Sequence, residues 1–388
     1  MKWEKVKLGE LYEVHNGLSK AGKFFGEGYP FLTFSTVFNN YFIPKQITDL
    51  VQSTEKERES YSIRRGDVFV TRTSETSDEL GMSCVALKDY PMATYNGFTK
   101  RMRPITNRVF PEYIGYYMRL PSFRGEFRAF STMTTRASLR NEDLLGLEVK
   151  LPSIEIQKQI ADILSAYDDL IENNQKQIKL LEEAAQRFYK EWFVDLRFPG
   201  HENTKIVDGV PEGWRISSIY DVFDIKYGKN LPTSKITKAG QYPVYGASGV
   251  IGYYNEKNCD DYATLVTSRG NGSGDVFRTH HKQSYITNNS FIARRNDKNS
   301  FIENEFTFQL FSNTDFKKLC TGSAQPQLTN TSIQKIKILL PNRQLIEKYQ
   351  RCTIEMSEKQ EALYQEQRAL TQARNRLLPK LMNGTVEV

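Results

Sequence analysis

Apolar residues recur every seven positions in two long stretches of the chain, and in short alternating runs elsewhere. In the first stretch Ile160, Tyr167, Asn174, Leu181 and Phe188 form one stripe. Ile163, Leu170, Gln177 and Ala184 form a second, broadened by Leu164, Ile171 and Ile178. This spacing predicts an α-helix whose seam needs a partner. Pro152 ends the preceding strand, Ser153 is an N-cap candidate, and neither Gly nor Pro interrupts Glu155 to Trp192. About 38 residues at helical rise make a rod of about 57 Å. The second stretch, from about Gln344 to Leu378, carries Tyr349, Met356, Leu363, Leu370 and Leu377, and Pro379 is read as its stop. Asn174 is a polar residue on the first seam, where the second has Leu363. Such a residue either fixes register at some cost in stability or sits incidentally at a frayed edge.

Outside these stretches the texture is that of short strands broken by Gly, Pro and Asn, such as 66–70 and 84–87, with a helix expected over 112–119. The texture occurs twice. Trp3, Leu8, Tyr12 and Gly17 fall on Trp214, Ile219, Phe223 and Gly228, and Phe127, Leu139 and Leu151 on Phe316, Leu328 and Leu340. Between these anchors the offset drifts from 211 through 193 to 189, and at 193 Asn96, Phe98 and Glu112 meet Asn289, Phe291 and Glu305. Drift of this kind follows from loop insertions in a duplicated globular unit, and the period is far too long for a solenoid. The fold class is therefore α+β, with two globular domains and two helices. The expected domains are 1–152, a helical spacer 153–199, linker and second domain 200–341, and a helical spacer 342–388. Domain termini usually lie close together, so the second helix should return antiparallel along the first. That gives a dumbbell with internal pseudo-two-fold symmetry.

Composition narrows the function. A length of 388 residues accommodates two or three domains. No apolar run approaches a membrane span and the N-terminus lacks a secretion signal, so a cytoplasmic protein with no membrane role is expected. Cys84, Cys259, Cys320 and Cys352 are isolated from one another, which suggests reduced thiols. A net charge of +7 permits a polyanionic partner.

Enzyme-like strings fail on inspection. Gly17 to Phe24 follows a P-loop until Phe24 replaces the magnesium-binding hydroxyl. The segment Phe24-Phe25-Gly26-Glu27-Gly28 resembles an adenosylmethionine glycine motif, but runs into Tyr29-Pro30 where a helix should begin. Asp224-Ile225-Lys226 and Asp315-Phe316-Lys317 lack an upstream carboxylate partner, and His280-His281 read as a surface loop. No catalytic residues and no metal site are expected.

Polar and basic loops remain, at matching positions of the two copies. Arg64 and Arg65 precede a strand that ends at Thr71-Arg72. In the second copy Leu265-Val266-Thr267 leads into Ser268, Arg269, Gly270 and Asn271. Arg among small residues can bind phosphate or bridge guanine, or can be a solvated turn. Asn96, Lys100 and Arg101 match Asn288 and Asn289 with Arg294-Arg295. Asn can read adenine, the basic residues can follow the backbone, and Phe98 and Phe291 read as core. A third pair sets Arg136 and its neighbours against Gln325-Pro326-Gln327.

The order of several strings carries a family resemblance: Tyr242-Pro243-Val244-Tyr245-Gly246-Ala247-Ser248-Gly249, Val266-Thr267-Ser268-Arg269-Gly270, Thr287-Asn288-Asn289, Gln325-Pro326-Gln327-Leu328, and Leu377-Leu378-Pro379-Lys380-Leu381-Met382-Asn383-Gly384. With the duplication, the chain resembles the specificity subunit of type I restriction–modification systems. The resemblance implies two target-recognition domains that bind double-stranded DNA, each reading half of a split, asymmetric sequence. The paired helices would set the unread spacer and dock two methyltransferase (M) subunits, which bind S-adenosylmethionine. Motor–nuclease (R) subunits would use ATP and Mg, and this chain would hold no cofactor and be no enzyme. Tyr245 and Ser248 join the candidate DNA-binding residues on this ground. The first copy departs from the pattern, with Phe31-Leu32-Thr33-Phe34-Ser35 where the second has Tyr-Gly-Ala-Ser-Gly. The competing reading is a coiled-coil scaffold with two protein-binding domains and no DNA role.

Overall fold

The computed structural model describes residues 3–74, 79–129, 137–322 and 325–388. It forms two compact units, one of residues 1–171 with 369–388 and the other of 172–368. Each unit thus takes one globular copy and part of both long helices.

In the first unit the strand Glu4–Lys7 pairs antiparallel with Glu148–Leu151. A four-stranded antiparallel sheet runs in the order Tyr12–Asn16, Thr99–Pro104, Val68–Thr71, Ser83–Val85. A smaller sheet has Phe25–Leu32 at its centre, antiparallel to Leu50–Val51 and parallel to Thr94–Tyr95. The helix Pro111–Tyr117 starts at Pro111, whose ring suits the first helical position, one residue before the expected start. It buries Tyr113, Ile114, Tyr116 and Tyr117. The core continues into Ile160 and Leu164 of the first long helix and Leu378, Leu381 and Met382 of the second.

The second unit repeats the plan. Arg215–Ser218 pairs with Lys337–Leu340. The main sheet runs Phe223–Tyr227, Ser290–Arg295, Thr264–Thr267, Val276–Arg278. The outer pairings reproduce the offsets expected at both ends of the repeat. The middle needs correction. Leu18 bridges Asn96 while Lys229 bridges Thr287, so Asn96 corresponds to Thr287 and not to Asn289. Phe98 is accordingly 59% exposed whereas Phe291 is buried, because Phe98 lies in the turn and Phe291 in the strand that follows it.

The matched glycines show why this turn is shared. A Cβ on Gly17 would lie 2.1 Å from the Asn96 carbonyl oxygen, and one on Gly228 would lie 2.3 Å from that of Thr287. Only glycine lets the two backbones come this close. The polar linker after Gly200 proves to be ordered. It contains a hairpin, Ile206–Val207 with Val210–Pro211, turned by Asp208 and Gly209 at φ 49° and 76°, which is the Asp-Gly turn signature.

The first long helix spans Ile154–Tyr189 and passes into a π-helical turn at Lys190–Val194. The second spans Arg343–Met382, so Pro379 does not stop it. Proline removes only one donor there, and the Asn383 amide still donates to the Pro379 carbonyl at 3.1 Å. The extra turn brings Leu381 and Met382 into the first unit's core, which offsets that lost bond. In the second unit the helices run antiparallel, with Glu182 against Tyr364 and Ala185 against Tyr349. In the first, Arg374 of the second helix donates to Asp168 of the first. Asn174 is buried and its Nδ2 has no hydrogen-bond partner. Its counterpart Leu363 is also buried.

Candidate nucleic-acid interface

The strand Thr264–Thr267 delivers the chain into a loop at one end of the second unit's sheet. Four further segments meet it there. The Ser268 amide donates to the Asn289 carbonyl at 2.8 Å, and its hydroxyl donates to the Asn288 carbonyl at 3.2 Å. The Leu328 and Gly270 amides donate to the Ser268 and Pro326 carbonyls, at 2.9 and 3.1 Å, and Arg269 forms a β-bridge with Gln327. Thr267 Oγ1 and Ser290 Oγ hold the carbonyls of Ala247 and Gly246, which fixes the 246–249 turn beside the loop. Lys229 closes the group, because the Asn288 amide donates to its carbonyl at 3.1 Å.

The segments therefore gather at one end, and their side chains divide into two roles. Ser248, Arg269, Asn271 and Gln325 are exposed, and Asn288, Asn289 and Gln327 are half-exposed. Among the described residues no carboxylate pairs with Arg269. Tyr245 and Ser268 are buried. The Tyr245 hydroxyl accepts from the His280 amide at 2.9 Å and shares a 2.7 Å hydrogen bond with His281 Nδ1. Both residues act as framework and present nothing to solvent. An exposed guanidinium, amides and a hydroxyl on a rigid base can form hydrogen bonds with base edges and phosphates.

The first unit builds a corresponding end with other chemistry. The Arg72 amide donates to the Phe98 carbonyl at 3.0 Å, and the Leu139 amide donates to the Arg72 carbonyl at 2.9 Å. Asn96 Oδ1 accepts from the Phe98 amide at 2.7 Å, so this side chain shapes its own turn. Thr33 caps the helix Phe34–Asn39 where the second unit has the 246–249 turn. That helix explains the departure from the Tyr-Gly-Ala-Ser-Gly pattern, since a helix cannot retrace a glycine turn.

Several residues expected at a DNA surface lie elsewhere. Lys100 and Arg101 are buried within Thr99–Pro104, the former bonded to Asn141 and the latter to the Ser62 carbonyl at 2.7 Å. Burial and the charge of Arg72 push the Lys100 ammonium below its ordinary value. Arg64 and Arg65 sit at the opposite end of the strand from Arg72. Arg65 is held there by Glu112 at 2.8 Å. Arg136 lies outside the described residues. The sequence pattern misplaced Phe98, which is exposed beside Arg72. The Asn-Gly pair before it, a turn signature, was the available signal.

The rejected strings are also placed. Gly22–Phe24 forms a single 3-10 turn leading into a strand, without the helix a phosphate loop requires. Asp315 pairs with Lys318 and Asp275 with Lys317, at 2.8 and 2.7 Å. His280 and His281 are not a solvated loop: His280 stacks on Tyr364 with ring centroids 3.9 Å apart. Among the described residues no group of three or more His, Cys, Asp or Glu could hold a metal ion, and no helix is long and apolar enough to cross a membrane.

The chain is 24% identical to the type I restriction enzyme MjaIX specificity subunit of Methanocaldococcus jannaschii, covering 100% of this chain and 94% of that one. It is 23% identical to the HindI specificity subunit of Haemophilus influenzae, over 99% of each. The fold is similar to the crystal structure of a type I restriction–modification S subunit from M. genitalium, with a TM-score of 0.57 at 18% identity over 98% of this chain and 96% of that one. Residues 1–183 and 211–364 match the type I restriction modification DNA specificity domain, and the chain belongs to that family.

Proposed function

We propose that this chain selects the DNA sequence on which a type I restriction–modification complex acts. The observation that carries the reading is the convergence of Ser248, Arg269, Asn271, Asn289 and Gln325 on one rigid end of the second unit's sheet. Arg72, Asn96 and Phe98 occupy the matching end of the first. Two scaffolds of one plan with different side chains suit two different short sequences, hence a split, asymmetric target. The long helices then hold the readers at a set spacing, and two sites on one duplex face are best read about one helical turn apart, roughly 34–36 Å. The chain docks methyltransferase subunits that carry S-adenosylmethionine, and motor–nuclease subunits supply ATP and Mg chemistry. Its own residues bind and orient DNA.

The test is co-expression with the methyltransferase subunit of the same system in a host lacking adenine methylation, followed by mapping of methyladenine across the genome. One split motif, lost when either protein is omitted, supports the reading. An assembled complex that leaves no mark and binds no duplex would favour a protein-binding scaffold.

A further inference from the structure

The outer face of the strand pair Phe223–Tyr227 and Ser290–Arg295 is built differently in the two copies. In the second unit side chains alternate along the pair: Phe223 and Ile225 are buried while Asp224 and Lys226 are exposed, and Ala293 is buried while Arg294 is exposed. The register sets Asp224 opposite Arg294 and Lys226 opposite Ile292. Together with Lys229, Arg295 and Asn258, these residues line an open cavity of about 290 Å³. Four cations thus face one carboxylate. Arg295 has only a loose contact with Glu303, at 3.7 Å, and Arg294 donates to the Cys259 sulfur at 2.7 Å. Among the described residues no carboxylate forms an ion pair with Lys226 or Lys229.

In the first unit the same face is closed. Register places Glu13 opposite Arg103 and His15 opposite Arg101. Arg103 is neutralised by Asp67 at 2.7 Å, and the Ser62 carbonyl accepts from both arginines, at 2.7 and 2.9 Å. Thr71 and Thr267 hold matching places beside Thr99 and Ser290, so Asp67 corresponds to Ala263. The second copy keeps the arginine and lacks the acid that silences it.

The strands Phe223–Tyr227 and Thr264–Thr267 both run antiparallel to Ser290–Arg295, so Lys229 and Arg269 leave the sheet at the same end. We infer that this face is a phosphodiester-binding track, continuous at Lys229 with the reading loops, and that the first domain has no equivalent. The inference rests on the DNA-reading proposal and deepens it. Ammonium and guanidinium groups along a strand follow a phosphate backbone without reading bases. The second domain then supplies more of the salt-dependent affinity than the first.

The test measures duplex binding by the assembled complex across a salt series, using a duplex with the mapped motif and a scrambled one. The double variant Lys226→Gln/Lys229→Gln is compared with Lys335→Gln/Lys337→Gln, which removes two exposed charges elsewhere in the same unit. All four side chains are exposed, so folding is not at stake. The track predicts that K226Q/K229Q lowers the salt slope by about two and weakens binding roughly tenfold or more at 0.1 M salt. Both duplexes should be affected equally. An unchanged slope, or an equal loss in K335Q/K337Q, overturns the track while leaving DNA reading intact. If the unsubstituted complex binds neither duplex in a salt-dependent way, both proposals fall.

Discussion

Asp67 accepts from both Arg103 Nε, at 2.8 Å, and Arg103 Nη2, at 2.7 Å, from a position sealed from solvent. The same carboxylate takes the Arg64 amide at 2.7 Å, so it also anchors the turn that starts the central strand. Asp67→Leu leaves a guanidinium partly buried without a counter-charge, and should cost the first unit about 3–5 kcal/mol. Replacing both partners, Asp67→Leu with Arg103→Met, should recover much of that loss. Urea unfolding of the two variants checks this, and a double variant no better than the single would show that the pair is not the source of the loss.

The glycines behind the reading turns give a second expectation. Gly17→Ala and Gly228→Ala each drive a methyl into a backbone carbonyl. Each should destabilise its own unit by roughly 2–4 kcal/mol through forced backbone shifts. Because Asn96 and Thr287 carry the struck carbonyls, each variant should also impair recognition of one half of the target. Methyladenine mapping reads this directly.

Side chains at the reading end should separate from those at the far end. Arg269→Ala and Gln325→Ala should each change base preference at a single position, by about 1–3 kcal/mol of discrimination. Arg64→Ala, at the opposite end of its strand, should leave preference unchanged. Motif degeneracy in the methylation map measures both. A relaxed motif in the Arg64 variant, or none in the Arg269 variant, would put the reading surface elsewhere.

The long helices and the duplication were legible because they rest on periodicity and on apolar anchors. Ile160, Leu164, Leu340 and Tyr349 all proved to be core residues. The candidate DNA residues were legible only as segments. Arg269 and Asn271 reached the surface, while Ser268 between the same loop and strand turned inward. A period of two could not decide that, because the alternation fails where a strand becomes a loop. Lys100 and Arg101 were misread for a different reason. Consecutive basic residues look solvent-facing in sequence, but Asn141 and Ser62 cover them from segments about 40 residues away, and the Tyr95 ring lies against Arg101 from the preceding strand. Lys226 was weighed only inside a carboxylate–lysine string, because the cationic face it shares with Arg294 shows only once the sheet register sets Ala263 where the other copy has Asp67.

Asn174 makes a further test of the helix seam. Its buried amide nitrogen lacks a partner, a loss of about 1–3 kcal/mol for a desolvated donor. Asn174→Leu, which copies Leu363 of the other helix, should raise stability by about 1–2 kcal/mol. If the residue fixes register, the same variant should blur the spacer length in the methylation map while raising the melting temperature. A stabilised protein with an unchanged spacer would reduce Asn174 to a tolerated imperfection.

The stacked His280 and its neighbour predict the pH dependence of the second unit. Burial and the charges of Arg278 and His281 push His280 down to about 4. Burial and Arg368, opposed by Glu361, bring His281 down to about 4. Arg278 is held by Glu305 and Glu182, at 2.6 and 3.3 Å, and donates to Gln360 at 2.8 Å, so its charge stays beside the ring. An unfolded histidine titrates near 6.5. Both rings are neutral in either state above about pH 7, where their contribution is fully present. As pH falls through 6.5 the unfolded chain takes up protons that the folded unit refuses. Stability should therefore decline between pH 6.5 and 4, by about 2–4 kcal/mol at pH 5 after allowance for the partial exposure of both rings. His280→Phe keeps the aromatic stack on Tyr364 and removes one titrating group. It should flatten that decline by about half, in denaturant unfolding followed from pH 7 to 4. A decline of undiminished slope in this variant would mean that the acid sensitivity arises from groups other than His280.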